Sequence, residues 1–197
     1  MQEGDYPTEC ALLVKGFAYR QKLLHNGARQ IISIHIPGEF VDLQNSMLSL
    51  ADHNVQSLSR CETATVPITA LQALMKRSPA IAKAMWLDTL IDSSIFREWV
   101  VNVGRRDAKT RIAHLLCELA LRMEASGAGS GPTYHFPLTQ DQLADATGLT
   151  PVHTNRTLQS LRRDGLITLS SNALTVLDWE RLREAGDFNE RYLHHAV

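Results

Sequence analysis

One stretch near the C-terminal end limits what this chain can fold into: LTQDQLADATGLTPVHTNRTLQSLRRDGLI, residues 138–167. Thr139 and Gln142 have the spacing of a capping box, in which hydroxyl and side-chain amide reciprocally satisfy orphan backbone N–H groups. The helix they open should stop at Gly148, where a left-handed backbone costs little. Thr150 then caps a second helix, with Pro151 in its first position, where a missing N–H is no loss. Two short helices joined by so tight a glycine-containing turn describe a helix-turn-helix.

The angular positions of the side chains decide which face of the second helix is free. Successive residues are rotated by about 100°, so Thr154, Leu158 and Leu161 share one side and can pack on Leu143 and Ala146. Opposite them lie Val152, Arg156, Gln159 and Arg163, flanked near the N-terminal end by His153 and Asn155. Such a row suits a DNA major groove: arginine grips guanine O6 and N7, glutamine or asparagine grips adenine, and valine touches a thymine methyl. Thr139, Gln140 and Thr150 sit at helix N-termini, whose amides and dipoles attract phosphate. The plainer alternative is a helical hairpin with a solvated polar face. The residues just downstream of the second helix argue against that alternative. GLITLSSNALTVLD reads as two strands, residues 166–170 and 173–177, around Ser171-Asn172, which makes the unit a winged helix. DWERLREAG adds a closing helix capped by Asp178.

The upstream half has a different texture. CALLVKG, FAYRQKL, ARQIISIHI and HNVQSLS are short β-rich runs separated by Gly16, by His25-Asn26-Gly27 and by Pro37-Gly38. Asn26-Gly27 between two such runs is a strong hairpin signal. Strands at this spacing suggest an antiparallel sandwich or barrel. From about residue 68 the period becomes helical: TALQALMKRS is a short helix, and Pro79 opens a longer one. Residues 79–103 contain no further Gly or Pro, which allows a helix about 37 Å long. Leu87, Ile91 and Ile95 form one stripe, expected to pack on the chain's own β-domain. Ala82, Trp86, Thr89, Ser93, Phe96, Val100 and Val103 form another with coiled-coil spacing, expected to pair with a second copy. The alternative is a helix buried on two sides of a monomer, and the polar Thr89 and Ser93 are the weak points of the seam. Gly104 is expected to interrupt this helix, and Asp107 to cap the next, AKTRIAHLLCELALRMEA, with Ile112, Leu115, Leu116 and Leu119 on its buried face. SGAGSGP, residues 126–132, reads as a linker or loop, and TYHFPL as a strand leading into the helix-turn-helix.

Composition narrows the classes. The chain has 197 residues, 44% of them hydrophobic, and a net charge of −1. That is enough for one ordinary domain or two small ones with a proper core. The charge gives no general attraction for nucleic acid, so DNA binding must come from local placement. No run of about 18 apolar residues predicts a membrane span, and the polar MQEGDYPTEC is not expected to be a secretory signal. Cys10, Cys61 and Cys117 are odd in number and widely spaced. They form neither a zinc knuckle nor a disulfide framework, which fits a cytoplasmic protein.

Taken in order, these elements resemble the transcription regulators grouped around the cyclic-AMP receptor protein and the fumarate-nitrate regulator, the CRP/FNR superfamily. The resemblance covers essentially the whole chain. It includes EGD at residues 3–5, GFAYRQKLL, PGEF, NVGRRDAKTRIAHLLCELA, the helix-turn-helix and the wing. HTNRTLQSLRRDGLI is similar to an alphaproteobacterial-type subgroup. The resemblance implies an α+β fold: an antiparallel β-roll (a jelly-roll of the cyclic-nucleotide-binding kind) over 1–78, a dimerisation helix over 79–104 and a winged helix-turn-helix over 105–197. Relatives carry about one strand and a short helix before the EGD. Here either the start is displaced or the barrel lacks its first strand.

The resemblance also implies a sequence-specific DNA-binding regulator, not an enzyme, acting in the cytoplasm as a homodimer on an inverted-repeat operator. Its partners would be double-stranded DNA, a second copy of itself and, for an activator, RNA polymerase, with no membrane. Arg156 falls on the family's base-reading arginine, Thr150 on its helix-capping phosphate contact, and Thr139 and Gln140 on phosphate contacts of the first helix. Val152, His153, Asn155 and Gln159 are expected to help read bases. Trp86, Thr89, Ser93, Phe96, Val100 and Val103 should form the dimer interface, with a hinge at Gly104 and Asp107. Where relatives place Arg-Glu or Glu-x-x-Ser, this chain has Pro151-Val152-His153, so their half-site preference does not carry over.

No cofactor is expected, and the effector is left open. Relatives that bind cyclic AMP carry a Gly-Glu and, some ten residues on, an Arg-Ser or Arg-Thr. The matching DLQNSMLSLADHNVQSLS has neither, and His53-Asn54 stands at the arginine position, so a cyclic phosphate loses its charge-assisted partner. The three cysteines are too scattered for an iron–sulfur cluster. His25, His35, His53 and Glu39 lack the pattern of a cupin-type metal site, and Glu39 reads as a turn residue; a haem held by a lone histidine is left open. The rival reading is a small-molecule- or metal-binding cupin-like barrel with a helical appendage.

Overall fold

The computed structural model describes residues 1–129, 131–170 and 172–194. They form two compact units, Met1–Phe96 and Arg97–Val197.

The first unit contains two antiparallel sheets. β1 (Glu9–Lys15) pairs with β5 (Glu62–Pro67), while β2 (Ala18–Leu23) lies between β3 (Arg29–His35) and β4 (Asn54–Ser57). The β2–β3 hairpin turns at Asn26-Gly27, where Gly27 takes a φ of 81°. These strands bury Leu13, Tyr19, Ile31 and Ile34, and a bulge between β2 and β3 beside Ile32 lets both Ile31 and Ile34 face inward. Gly16 is required sterically: its φ is 89°, and a Cβ there would lie 2.4 Å from the Arg60 carbonyl oxygen. Sequence patterning did not single out β5, because its residues are mostly exposed and show no apolar alternation. α1 (Ile68–Arg77) follows directly and buries only Leu71.

α2 (Pro79–Arg105) corrects one expectation. Gly104 does not interrupt it; the helix continues to Arg105, and the chain breaks at Arg106 and Asp107. A helical glycine costs only about 1 kcal/mol relative to alanine. That is small beside the contacts that fix this end. Asn102 Nδ2 donates to the Arg111 carbonyl at 3.2 Å, and Trp99 is buried. Leu87, Ile91 and Ile95 are half-buried, and Arg20 of β2 pairs with Asp92 at 2.6 Å.

The second unit contains α3 (Ala108–Ala125), β6 (Thr133–His135), α4 (Gln140–Thr147), α5 (Pro151–Arg163), β7 (Ile167–Ser170), β8 (Ala173–Val176) and α6 (Trp179–Ala185), then a short 3-10 turn at Glu190–Leu193. The sheet order is β6-β8-β7, all antiparallel. Asp107 caps α3, accepting from Thr110 N at 2.9 Å. The single buried face expected for α3 is too narrow. Residues 112–120 are buried on every side, including His114 and Glu118. α4 and α5 cover one side, and α6 and the 3-10 turn cover another. Asn172, with φ 68°, supplies the left-handed residue of the wing turn. Ser171, expected beside it, and Ser130 of the loop lie outside the described residues.

Candidate nucleic-acid interface

The helix-turn-helix is built by local chemistry. Thr139 Oγ1 accepts from Gln142 N at 3.2 Å, and Gln142 Oε1 accepts from Thr139 N at 2.9 Å. Gly148 takes φ 65°, ψ 34° and ends α4. Arg111 of α3 donates to the Thr147 carbonyl at 3.1 Å, satisfying one orphan acceptor at that end. Thr150 Oγ1 accepts from His153 N at 3.3 Å and opens α5, with Pro151 in the first turn.

α5 is divided cleanly by burial. Thr154, Thr157, Leu158 and Leu161 are buried, as are Leu143, Ala144 and Ala146 of α4. Val152, His153, Arg156, Gln159 and Arg163 are exposed, and Asn155 is half-exposed. Val152 is 63% exposed. The side chains of His153, Arg156 and Arg163 make no hydrogen bond or ion pair among the described residues, so the Arg156 guanidinium keeps its full donor set for another molecule. Thr139, Gln140 and Thr150 are exposed at their helix starts. Asn155 differs from its neighbours: Nδ2 donates to Gln140 Oε1 at 2.8 Å, and Oδ1 accepts from Gln159 Nε2 at 2.9 Å. Arg162, which sequence reasoning did not select, donates to the Leu169 carbonyl at 3.0 Å and ties α5 to the wing.

Along α2, the expected seam residues Trp86, Thr89, Ser93, Phe96 and Val100 are exposed, while Val103 is half-buried. Trp86 at 69%, Val100 at 55% and Phe96 at 48% exposure leave large apolar groups uncovered within one chain. At the expected hinge, Gly104 is helical, and the Asp107 carboxyl is held below its usual range, chiefly by the Thr110 amide it caps.

In the first unit, His35, Glu39 and His53, weighed above for an effector or metal, are engaged within the chain, and so is Arg20, which the sequence did not single out. Arg20 donates to the Val41 carbonyl, to Asp92 and to Gln44. His53, at the position where an arginine was sought, is buried against Asp52 at 2.6 Å and lies 3.4 Å from Gln44. His35 is buried between Ser33 and Glu39, and Glu39 also accepts from Ile36 N at 3.2 Å, as a turn residue would. Among the described residues, no three His, Cys, Asp or Glu side chains converge as a metal site. Burial pushes the Cys10 thiol up to about 11 and Cys117 to about 12. No described helix is long and apolar enough to cross a membrane.

Known proteins share this arrangement. The family described as a Crp-like helix-turn-helix domain matches residues 110–185, and the cyclic nucleotide-binding domain family matches residues 1–78. The chain is 31% identical over 190 residues to the transcriptional activator protein FnrL of Cereibacter sphaeroides, covering 93% of this chain and 75% of that protein. It is 26% identical over 185 residues to the nitrogen fixation regulation protein FixK of Bradyrhizobium diazoefficiens, covering 91% and 75%. Its fold is similar to that of FixK2 from Bradyrhizobium japonicum, with a TM-score of 0.85 at 20% identity over 93% of this chain and 90% of that one. These findings do not favour a cupin-like barrel protein. Joined to an N-terminal antiparallel β-roll and a capped helix-turn-helix with its wing, they show that the chain belongs to the CRP/FNR superfamily of DNA-binding transcription regulators.

Proposed function

We propose that the protein acts in the cytoplasm as a non-enzymatic homodimer that places two α5 helices in successive major grooves of an inverted-repeat operator. Half-sites then lie about 34–36 Å apart, one turn of B-form DNA. The observation that carries this reading is Arg156: a guanidinium on the exposed face of α5, unengaged among the described residues and fixed to a helix capped at its start. Arg156 is the principal base reader, with Val152, His153 and Gln159 beside it; Thr139, Gln140 and Thr150 hold the phosphate backbone. The uncovered Trp86, Phe96 and Val100, with Thr89, Ser93 and Val103, support pairing of α2 with its twin. A pivot at the α2–α3 junction, Gly104 to Asp107, would carry any conformational control. FnrL is named an activator, and a contact with RNA polymerase follows if this protein activates.

Cyclic AMP is not the effector in this reading. Residues 42–59 hold no arginine, and Arg20 is already paired with Asp92 at 2.6 Å. The test is selection of bound duplexes from random DNA, with light scattering to give the mass in solution. Enrichment of an inverted repeat by a dimeric particle, with affinity falling as salt rises, is the expected result, because phosphate contacts release counterions. A monomer that enriches no sequence would overturn the proposal.

A further inference from the structure

We propose that Asn155 is a positioning residue and not a base reader. Its carboxamide links Gln140 at the start of α4 to Gln159 on the groove face of α5, aiming one at the DNA backbone and the other at a base edge. The inference rests on the DNA-binding reading above. Engagement on both sides points to the role: turning the Asn155 carboxamide toward an adenine would break its contacts with both glutamines. An asparagine that reads adenine must offer its oxygen and its nitrogen together to N6 and N7. Asn155 Oδ1 already accepts from Gln159 Nε2 at 2.9 Å, and Nδ2 already donates to Gln140 Oε1 at 2.8 Å. Both distances lie in the normal range. Asn155 is also only half-exposed, unlike Val152 and Arg156 on either side of the same turn.

The consequences differ for the two partners. Gln140 has its carbonyl turned inward to Asn155, so the outward end of its amide is the N–H donor end. That is the end a phosphate oxygen needs; the reverse orientation would set a carbonyl against an anion. Gln159 uses one Nε2 hydrogen on Asn155 and keeps the other together with Oε1, the pair required for a bidentate grip on adenine. A free glutamine must give up considerable rotamer freedom to bind. Here two are ordered before DNA arrives, and amides linked head to tail polarise one another in the same direction. The Asn155–Gln159 step uses adjacent turns of one helix, whereas the Asn155–Gln140 step crosses from α5 to α4. The relay thus fixes the spacing between a base contact and a backbone contact.

The test uses the full chain and the duplex selected by the wild type, with Asn155→Ala, Gln140→Ala, Gln159→Ala and the Asn155→Ala/Gln140→Ala double variant. Affinity is read on duplexes with each base changed and with single neutral methylphosphonates in the backbone. Asn155→Ala is expected to weaken binding about tenfold, and the double variant to be no weaker than either single one. Sensitivity to one particular methylphosphonate should vanish in both Asn155→Ala and Gln140→Ala. Discrimination should relax at the base pair read by Gln159 and persist at that read by Arg156. Gln140→Ala alone should relax the Gln159 position, which gives a readout even if Asn155→Ala fails to fold. Losses that multiply in the double variant would overturn the relay. So would a base position whose discrimination depends on Asn155 and is untouched by Gln159→Ala. A wild type that selects no sequence would overturn the DNA-binding reading itself, and the relay with it.

Discussion

Trp99, near the end of α2, donates its indole N–H to Glu118 of α3, 3.1 Å from each carboxylate oxygen. Glu118 is fully buried, and it also takes Arg122 at 3.0 Å and the Tyr192 hydroxyl at 2.9 Å. One carboxylate thus joins the residues before the α2–α3 break, the core helix after it and the C-terminal 3-10 turn. Removing one member of a buried ion pair leaves the other uncompensated. Glu118→Ala should therefore cost the second unit about 3–5 kcal/mol, and Glu118→Gln, which keeps an acceptor for Trp99, should cost less. Urea unfolding followed by Trp fluorescence measures both, and an Ala variant as stable as the wild type would refute the role.

His114 gives a pH dependence with a definite sign. Burial, assisted by the nearby Arg106 charge, pulls its pKa below the ordinary 6.5, against the opposing pull of Glu118 and Glu98. In the unfolded chain it takes up a proton near 6.5. In the folded chain it does so only at lower pH. Between those values the unfolded state binds more protons, so this contribution to stability is present above about pH 6.5 and lost as pH falls. Comparing His114→Gln with the wild type by unfolding at about pH 7.5 and about pH 5.5 isolates the effect. The stability gap should narrow in acid; a gap that widens would contradict the assignment.

Arg156→Ala should weaken operator binding by about 1–3 kcal/mol and relax preference at one base pair of each half-site. Competition with singly substituted duplexes reads this out. A variant with unchanged discrimination would remove Arg156 from the base-reading row.

Phe96→Asp together with Val100→Asp should shift the protein to monomer at micromolar concentration, since charges would face their twins across an apolar seam. Light scattering gives the mass, and circular dichroism checks that the helix persists. A dimer that survives both substitutions would place the interface elsewhere.

Cyclic AMP at millimolar concentration should produce no heat in calorimetry and no change in DNA affinity. Saturable binding would show that Arg20 can be drawn away from Asp92.

What could be read from sequence was what nearest neighbours decide. The capping box at Thr139, the left-handed Gly148, the Thr150 cap and the Asn26-Gly27 turn depend on residues within a few positions. The surprises came from distant partners. Gly104 stays helical because Trp99 and Asn102 anchor that end of α2 to α3. The closed circumference of α3 depends on a tail some seventy residues away, where Tyr192 meets His114 and Glu118. Neither spacing nor propensity signals such contacts. In the interface, helical angles identified the exposed row on α5, but the engagement of Asn155 on both sides is a matter of rotamers, which periodicity does not carry.

The uncovered edge of α2 has a further effect in a cell. If the species that grips an operator forms only when two protomers meet along Trp86, Phe96 and Val100, then at low abundance promoter occupancy climbs with the square of protein level. A modest change in synthesis or proteolysis is thereby sharpened into a steeper transcriptional response, with no small molecule required.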